Sequence, residues 1–417
     1  MSALNELDPV ETRLRDGLFA RQATLEQELA DLVAIPTGMG HADGLETTRA
    51  MLVERLQAIG ATTSLATGDE RPDWLLGGWS NQTPPPTATC THPGNGPRIL
   101  LAAHLDTVHD PESDFDALRH EADGISRGPG AADMKGGVLV VMAALEALAE
   151  AGVDVNWTVL LTSDEETGSF CSERHLAEAA RSADVGLVVE PALPDGSLVV
   201  ERMGSGQFMI RVEGRSAHVG REFERGISAV KTLAEVIIEV LALADPEAGR
   251  IVNIGPIEGG QATNAVPDHA ACWGNVRFKD PDSQGVLEAA FDALEQRWSH
   301  DDSGTPHPEG HLPRVHFERT FNRPAKPMTP AVEQLALAAR RAAESLGQSL
   351  PFAKTGGVCD GNVLQSAGLP TIDTLGVRGG NLHREDEYVE LGSLSERAAL
   401  LAVLIKRIAS GAESIGV

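Results

Sequence analysis

The sequence predicts an α/β fold: a mixed, mostly parallel sheet with helices on both faces, plus an inserted ferredoxin-like α+β domain. Short, continuously apolar runs alternate with helical segments at the beginning and end of the chain, which is typical of strands covered on both faces. Between residues 204 and 321 the predicted order is β-α-β-β-α-β, the order of the ferredoxin-like unit.

The first α/β segment is predicted from its apolar patterning. An amphipathic helix, a strand, a long helix and two more buried strands are expected at Ala23–Ala34, Arg98–Ala103, Met134–Ala151, Trp157–Thr162 and Val185–Val189. The stretch Gln82–Pro97 is so rich in proline and glycine that we expect an exposed loop or hairpin rather than a helix or a central strand.

The middle of the chain changes pattern near Gly204. Strands are expected at Phe208–Val212, Arg250–Ile257, Ala271–Phe278 and Arg314–Phe321, with helices at Ile227–Ala244 and Gln284–Trp298. The α/β alternation then returns with Ala331–Leu346, Thr371–Leu375 and Leu394–Ala409. We therefore expect residues 1–203 and 322–417 to form one discontinuous domain, and residues 204–321 to be inserted in it.

The composition excludes several classes of function. The 417 residues include 34 Lys plus Arg against 61 Asp plus Glu, a formal net charge of −27, which argues against nucleic-acid and anionic-membrane binding. Four scattered cysteines without a CxxC pair fit neither a disulfide scaffold nor a thiolate zinc site. Without an apolar signal region or a membrane-length apolar run, the chain is expected to be soluble and cytoplasmic.

Candidate chemical groups follow the first predicted buried strand. His104 and Asp106 stand two residues apart, so they can share a face, with the carboxylate binding the second nitrogen of the imidazole. Asp133 ends a glycine-rich turn before a long helix. The alternative for His104 is a hydrogen-bonded structural histidine, and the alternative for Asp133 is a helix N-cap.

Further candidates follow the later strands. Glu165 and Glu166 stand in an acidic turn, where adjacent carboxylates repel unless a cation neutralises them, although a solvated turn would look the same. Glu190 ends another strand, and His383 lies in a late glycine-rich loop, where a plain surface histidine is the alternative. Two imidazoles and three carboxylates suit Zn²⁺, Co²⁺ or Mn²⁺, and the absence of cysteine ligands favours a catalytic site.

Seven ordered motifs resemble the M20 family of co-catalytic zinc hydrolases. They are HLDTV (104–108), GPGAADMKGG (128–137), SDEETGS (163–169), VVEP (188–191), SAHVG (216–220), GGQATNAVPDHA (259–270) and LHREDEYV (382–389). The segment TGGVCDGNVLQSAGLPTIDTLG looks most like the glutamate carboxypeptidase branch. The resemblance implies a zinc-binding catalytic domain and an inserted lid and dimerisation domain.

The resemblance also implies a ligand set for two Zn²⁺ per chain, with Co²⁺ or Mn²⁺ as substitutes. His104 and Glu190 would bind one metal, Glu166 and His383 the other, and Asp133 would bridge them. The peptide bond after the bridging aspartate is expected to be cis.

The implied reaction is cleavage of the amide bond of an N-acyl amino acid, or of a short peptide with a free C-terminal carboxylate. Glu165 would be the general base on a metal-bridging water, and Asp106 would orient His104. Alternatives are an N-acetyl or N-succinyl amino-acid deacylase, or a dipeptidase, on the same machinery. Alternatives from other functional classes are a non-catalytic binding protein and a metal-free glycosidase.

The inserted domain contributes further residues by resemblance. His218 resembles the family histidine that reaches the active site of a partner subunit and stabilises the tetrahedral oxyanion, so a homodimer through this domain is expected. Asn264 and Arg277 match positions that bind the substrate near its carboxylate, and Gly356 and Gly357 match the adjacent glycine loop. An exposed strand arginine is the alternative for Arg277.

The chain departs from the glutamate carboxypeptidase branch after the glycine loop. It has Val358–Gly361 (VCDG) where that branch has Thr-Asp-Ala, and Cys359 is expected to be a small buried residue rather than a nucleophile. Arg319, Arg323 and Arg378 are all available for a second substrate carboxylate, and the sequence does not choose among them. Glutamate specificity is therefore open.

Overall fold

The computed structural model describes residues 6–38, 41–77, 86–300, 303–308 and 310–413. Helices lie at α1 Pro9–Ala20, α2 Gln22–Val33, α3 Ala42–Ala58, α4 Gly137–Glu150, α5 Glu173–Arg181, α6 Ala229–Leu241, α7 Pro281–Ser299, α8 Pro330–Ser345, α9 Asp360–Ser366 and α10 Ser393–Ala409. Strands lie at β1 Thr62–Ala66, β2 Thr87–His92, β3 Ile99–His104, β4 Arg119–His120, β5 Ile125–Arg127, β6 Trp157–Thr162, β7 Val185–Val188, β8 Leu198–Arg202, β9 Gly204–Glu213, β10 Arg250–Gly259, β11 His269–Phe278, β12 Arg314–Arg323, β13 Phe352–Thr355, β14 Thr371–Ile372, β15 Gly379–Gly380 and β16 Tyr388–Glu390.

The larger sheet has six strands in the order β1-β2-β6-β3-β7-β14. Strands β6, β3, β7 and β14 are parallel, whereas β1 and β2 join antiparallel at one edge. The predicted mixed, mostly parallel sheet is confirmed. Because the parallel strands end at one edge, residues that follow them lie close together.

Helices cover both faces of this sheet, as predicted. In β3, Ile99 and Leu101 belong to a large core that includes side chains of α1, α2, α4, α8 and α10. The intervening Leu100 and Ala102 pack in a separate cluster with α5 and α9. Alternate residues of one strand thus enter opposite cores, which explains why the strand sequence is apolar throughout.

A second sheet has four antiparallel strands in the order β10-β11-β9-β12. Together with α6 and α7 these strands follow the predicted β-α-β-β-α-β order, and the two helices share one hydrophobic cluster with the sheet. The domain limits at residues 204 and 321 stay a prediction, as does the action of this unit as a lid.

The stretch Gln82–Pro97 departs from the prediction of a loop or hairpin. Its first four residues, 82–85, lie outside the described part of the chain. Residues 87–92 form β2, an interior strand between β1 and β6, with Ala88 and Cys90 fully buried. The strand fits between the prolines because residues 87–92 themselves contain neither proline nor glycine.

The long helix predicted from Met134 begins three residues later. Asp133 and Met134 have non-helical backbone angles, and α4 starts at Gly137 after an irregular helical turn. The Asp133–Met134 peptide bond is cis, as the family resemblance implies. Among the described helices, none combines the length and hydrophobicity that a bilayer span requires.

A buried ion pair joins the first and last helices of the described chain. Glu11 of α1 is 3% exposed, Arg407 of α10 is 1% exposed, and the Arg407 Nε donates to Glu11 Oε1 at 2.9 Å. Burial opposes ionisation of Glu11, but bonds from Arg407 and the Asp8 backbone lower its pKa below 4.5. The ionised pair therefore stabilises the fold above the unfolded-state pKa and loses this effect as the pH falls through the folded-state value.

Glu11→Gln should destabilise the protein by about 3 kcal/mol at neutral pH, because the buried Arg407 would lose its ionised partner in α1. Urea unfolding at several pH values measures this, and the difference from wild type should shrink below about pH 4. Asp16→Asn, which removes an exposed partner of Arg15, is the matched control and should change stability by less than about 0.5 kcal/mol. Equal effects of the two substitutions would contradict the prediction.

Candidate metal centre and active site

The candidate site lies at the edge where the parallel strands end. His104 is the last residue of β3, and Glu190 comes two residues after the end of β7. The Glu165–Glu166 turn follows β6. Asp133 stands in the irregular turn before α4, and His383 lies in the loop before β16. The structure brings these predicted residues together from five separate segments.

Asp133 occupies the middle of the cluster. Its Oδ1 lies 3.2 Å from the His104 Nε2, and its Oδ2 lies 3.5 Å from the His383 Nε2. Each imidazole also faces a second carboxylate, with His104 Nε2 at 3.9 Å from Glu190 Oε1 and His383 Nε2 at 3.3 Å from Glu166 Oε2. Candidate ligand atoms of His104, Asp133 and Glu166 all lie within 4.8 Å of one another.

Burial disfavours negative charge on two of these carboxyl groups, Glu166 and Glu190. Burial and repulsion by Asp133 raise the pKa of Glu166 to about 8, and burial raises the pKa of Glu190 well above its usual range. Burial acts on Asp133 too, but its bonds to both histidines keep its pKa well below the usual range. In the described chain, the Oε1 atoms of Glu166 and Glu190 are buried without a hydrogen-bond donor.

Asp106 contacts the imidazole of His104 through its carboxylate, as predicted, and also through its backbone carbonyl. His104 Nδ1 lies 2.9 Å from the backbone carbonyl oxygen of Asp106, while the Asp106 carboxylate, expected to bind this nitrogen, is at 3.5 Å. The carboxylate also accepts hydrogen bonds from the backbone N–H groups of Glu165 and Glu166 at 3.2 and 2.9 Å. One residue therefore fixes both the imidazole and the acidic turn.

Glu165 stands apart from the histidine and carboxylate contacts. Its Oε1 lies 3.0 Å from Arg323 Nη2, and the same guanidinium donates to the Glu165 backbone carbonyl at 3.0 Å. Burial raises the pKa of Glu165, and the attraction of Arg323 opposes this rise. Glu165 is thus a carboxylate beside the candidate metal ligands, oriented by a buried cation.

Glu387 is a site residue that the sequence reasoning missed. It is 1% exposed, and its Oε1 accepts hydrogen bonds from the backbone N–H groups of Ala132 and Asp133 at 2.8 and 3.0 Å. Its Oε2 lies 2.6 Å from the His109 Nε2 and accepts from Gly130 N–H at 3.2 Å. The glutamate lies four residues after His383 within a motif already noted, but nothing in the sequence shows that it turns toward backbone amides.

A cavity of about 560 Å³ opens over this cluster and extends to the second sheet. Of the residues predicted to bind substrate, Arg277 of β11 and Gly357 line it, and Gly356 adjoins it in the chain. His218 and Asn264 do not line it: they are exposed and adjacent to each other, with the Val219 N–H donating to the Asn264 carbonyl at 3.0 Å.

The three arginines left open by the sequence have different positions. Arg323 lines the cavity, whereas Arg319 pairs with Glu295 and Asp292 of α7, and Arg378 pairs with Glu390 and Glu396. Arg319 and Arg378 are therefore not cavity cations. Cys359 is fully buried and burial raises the pKa of its thiol well above the usual range, which disfavours a nucleophilic thiolate.

The chain belongs to peptidase family M20/M25/M40, whose family model matches residues 100–407. It is 28% identical over 412 residues to carboxypeptidase G2 of Pseudomonas sp. (strain RS-16), covering 95% of this chain and 93% of that protein. It is 32% identical over 330 residues to a succinyl-diaminopimelate desuccinylase of Methylobacterium radiotolerans, covering 73% and 80%. The chain is thus an enzyme of a peptidase and amidohydrolase family.

Solved structures show the same fold. A tripeptidase from Staphylococcus aureus superimposes with a TM-score of 0.73 at 22% identity, covering 93% of this chain and 99% of the other. A Bacillus subtilis protein described as a dinuclear metal-binding peptidase of the M20 family gives a TM-score of 0.61 at 17% identity, covering 94% and 99%.

Glu387→Gln should weaken the binding of divalent ions about 10- to 100-fold, because the turn that presents Asp133 loses a charged acceptor. Isothermal calorimetry with Zn²⁺ on the metal-free protein measures this change. Glu385→Gln, an exposed neighbour in the same loop, is the control and should bind like wild type. Wild-type affinity in the Glu387 variant would show that the turn does not depend on this carboxylate.

Proposed function

We propose that the protein is a co-catalytic di-zinc hydrolase that cleaves the amide bond of an N-acyl amino acid, or of a short peptide with a free C-terminal carboxylate. The observation that carries this proposal is Asp133, whose two carboxylate oxygens face two different histidines. A carboxylate between two sets of N and O donors can bridge two divalent ions. Membership of the M20 family supports the same conclusion.

The proposed ligands fit two divalent cations. His104 and Glu190 would bind one ion, Glu166 and His383 the other, and Asp133 both. The buried Oε1 atoms of Glu166 and Glu190, without donors in the described chain, are acceptors that a cation would satisfy. Imidazole and carboxylate donors suit Zn²⁺, with Co²⁺ or Mn²⁺ as substitutes.

The proposed chemistry divides between the metals and Glu165. Bound metal ions would polarise the scissile carbonyl and lower the pKa of the attacking water. Glu165 would accept the proton of that water and then donate it to the leaving nitrogen. Arg323 orients the Glu165 carboxylate for this transfer through its contact at 3.0 Å. Asp106 would position the glutamate through the backbone of the turn.

The proposed substrate binds through its free carboxylate. Arg277 lines the cavity from the second sheet, and its buried Nη1 has no acceptor in the described chain, so a substrate carboxylate can supply one. Gly356 and Gly357 would allow the substrate to approach the backbone closely. An N-acetyl or N-succinyl amino-acid deacylase, or a dipeptidase, is the second candidate, and the identity to the desuccinylase favours the deacylase.

A hydrolysis screen of N-acetyl, N-succinyl and N-aminoacyl amino acids, with zinc, cobalt or manganese added, tests the proposal. Activity confined to substrates with C-terminal Glu or Asp would favour a carboxypeptidase, and preference for an acetyl or succinyl group would favour a deacylase. Absence of hydrolysis across all substrates and metals would contradict both.

A homodimer would complete the proposed site. His218 and Asn264 lie outside the cavity of their own chain, as residues that act on a partner subunit would. The second sheet ends in β10, an edge strand whose Ile257 is 60% exposed, and the adjacent α6 exposes 69% of Ile238. We propose that these surfaces pair between two copies and that residues 204–321 act as the lid and dimerisation domain.

Glu165→Gln should lower kcat by at least about 100-fold, because the amide cannot take a proton from the attacking water. Elemental analysis after dialysis should still find about two divalent ions per chain, since Glu165 is not a proposed ligand. Substantial activity in this variant, or loss of its metal, would remove Glu165 from the role of base.

His218→Ala should also lower kcat about 100-fold by removing an oxyanion donor. If the histidine acts on the partner subunit, mixing this variant with Glu165→Gln and allowing the subunits to exchange should restore about a quarter of wild-type activity, because half of the dimers then contain one intact site. Each variant incubated alone is the control. A mixture no more active than its components, with subunit exchange shown by mass spectrometry, would exclude a role in trans.

A further inference from the structure

Four arginines line the cavity, and they differ in how their charge is balanced. Arg202 lies 2.7 Å from the buried Asp373, and Arg323 lies 3.0 Å from Glu165. Within the described residues, Arg71 and Arg277 have no carboxylate oxygen within ion-pair distance. Arg277 is the proposed partner of the substrate carboxylate, so Arg71 is the cavity cation without an assigned role.

Arg71 is held in a defined position beside the acidic turn. Its Nη1 and Nη2 donate to the backbone carbonyls of Leu75 and Leu76 at 3.2 and 2.6 Å, and its Cζ lies 5.7 Å from the centre of the Phe170 ring. These acceptors are neutral, and Asp164 attracts the guanidinium only from beyond ion-pair distance. Its Nε is buried and has no acceptor in the described chain.

The segment at residues 67–77, which contains Arg71, is bonded to α5 and the residues before it on one side and to β11 on the other. The Asp69 N–H donates to the carbonyl of Cys171 at 2.9 Å, and Arg174 of α5 pairs with the Asp69 carboxylate at 2.9 Å. On the opposite side, the indole N–H of Trp273 in β11 donates to the Trp74 carbonyl at 2.7 Å. The segment thus forms a wall between the two sheets, and Arg71 and Leu76 line the cavity from it.

Neither Arg71 nor Arg277 forms an ion pair within the described residues. Burial lowers the pKa of Arg71, and burial together with repulsion by Arg323 lowers the pKa of Arg277. A buried charge without a counter-charge costs free energy, and a ligand that supplies the counter-charge recovers this cost. A ligand with two anionic groups would satisfy both arginines.

We propose that Arg71 is a specificity-determining residue that binds a second anionic group of the substrate, while Arg277 binds the first carboxylate. This inference rests on the proposed amide hydrolysis. The substrate class is an N-acyl amino acid with a second carboxylate, carried either by the amino-acid side chain or by the acyl group. Arg71 lies outside residues 100–407, so the family model does not assign it.

Two pairs of substrates of similar shape test this assignment. N-acetylglutamate against N-acetylglutamine varies the charge of the side chain, and N-succinylalanine against N-butanoylalanine varies the charge of the acyl group. Wild-type enzyme should prefer the dianion in one pair by about 10- to 100-fold in kcat/KM, and Arg71→Gln should abolish that preference mainly through KM. The pair that responds identifies which group carries the second charge.

Two further variants separate specificity from folding. Arg71→Lys should retain part of the preference, because it keeps the charge but not the planar fork. Arg319→Gln, which removes a cation outside the cavity, should leave the preference unchanged. An unchanged preference in a folded Arg71→Gln protein, or a wild-type enzyme that does not discriminate within either pair, would overturn the inference.

Binding measurements distinguish failure of this inference from failure of the proposed function. Calorimetry of the metal-loaded protein with glutamate against glutamine, and with succinate against butanoate, requires no turnover. Tighter binding of the ligand with two carboxylates in one pair, about 10-fold and lost in Arg71→Gln, would support Arg71 even if no amide is hydrolysed. Amide hydrolysis without any Arg71-dependent preference would leave the proposed function intact and remove Arg71 from it.

Discussion

Repulsion between closely placed carboxylates is the constraint on which the rest of the site depends. Four of them meet at one sheet edge: Asp133 and Glu190 are buried, and Glu165 and Glu166 are half-buried. His104 and His383 face Asp133, and Arg323 faces Glu165, but oxygens of Glu166 and Glu190 have no donor in the described chain. Protonation of a carboxyl group or entry of a cation relieves this repulsion, so under the proposed function the stability of the cluster would be coupled to metal binding.

The fold holds the residues of this cluster in place by packing and by hydrogen bonds to the backbone that carries them. The cores on both faces of the large sheet immobilise β3, so His104 has little freedom. The Glu387 carboxylate accepts a hydrogen bond from the backbone of the turn at Asp133. The Asp106 carboxylate accepts one from the backbone of the turn at Glu165. These bonds place the site at the meeting point of several rigid segments, as a preorganised catalytic site requires.

The sequence predicts those elements of the fold that depend on the local pattern of apolar and polar residues. Continuous apolar runs gave the parallel strands, and Trp157–Thr162 was located to the residue because its ends coincide with polar turns. The pattern could not find β2, where proline-rich flanks conceal a strand that tertiary pairing stabilises. It could not find Glu387 either, because its partners are backbone groups more than two hundred residues away in the chain. Likewise, Arg319 and Arg323 looked equivalent until the fold turned one toward α7 and the other into the cavity.

The net charge of −27 limits how an anionic substrate can be recognised. At a distance the chain repels such a substrate, although salt screens this field beyond about 8 Å under physiological conditions. Attraction must therefore come from cations inside the cavity, where screening is weak. Two of the four cavity arginines already neutralise Asp373 and Glu165, so their charge is not available to a ligand. Under the proposed function, selection between one and two anionic groups would consequently depend on Arg277 of β11 and on Arg71 of the segment at residues 67–77.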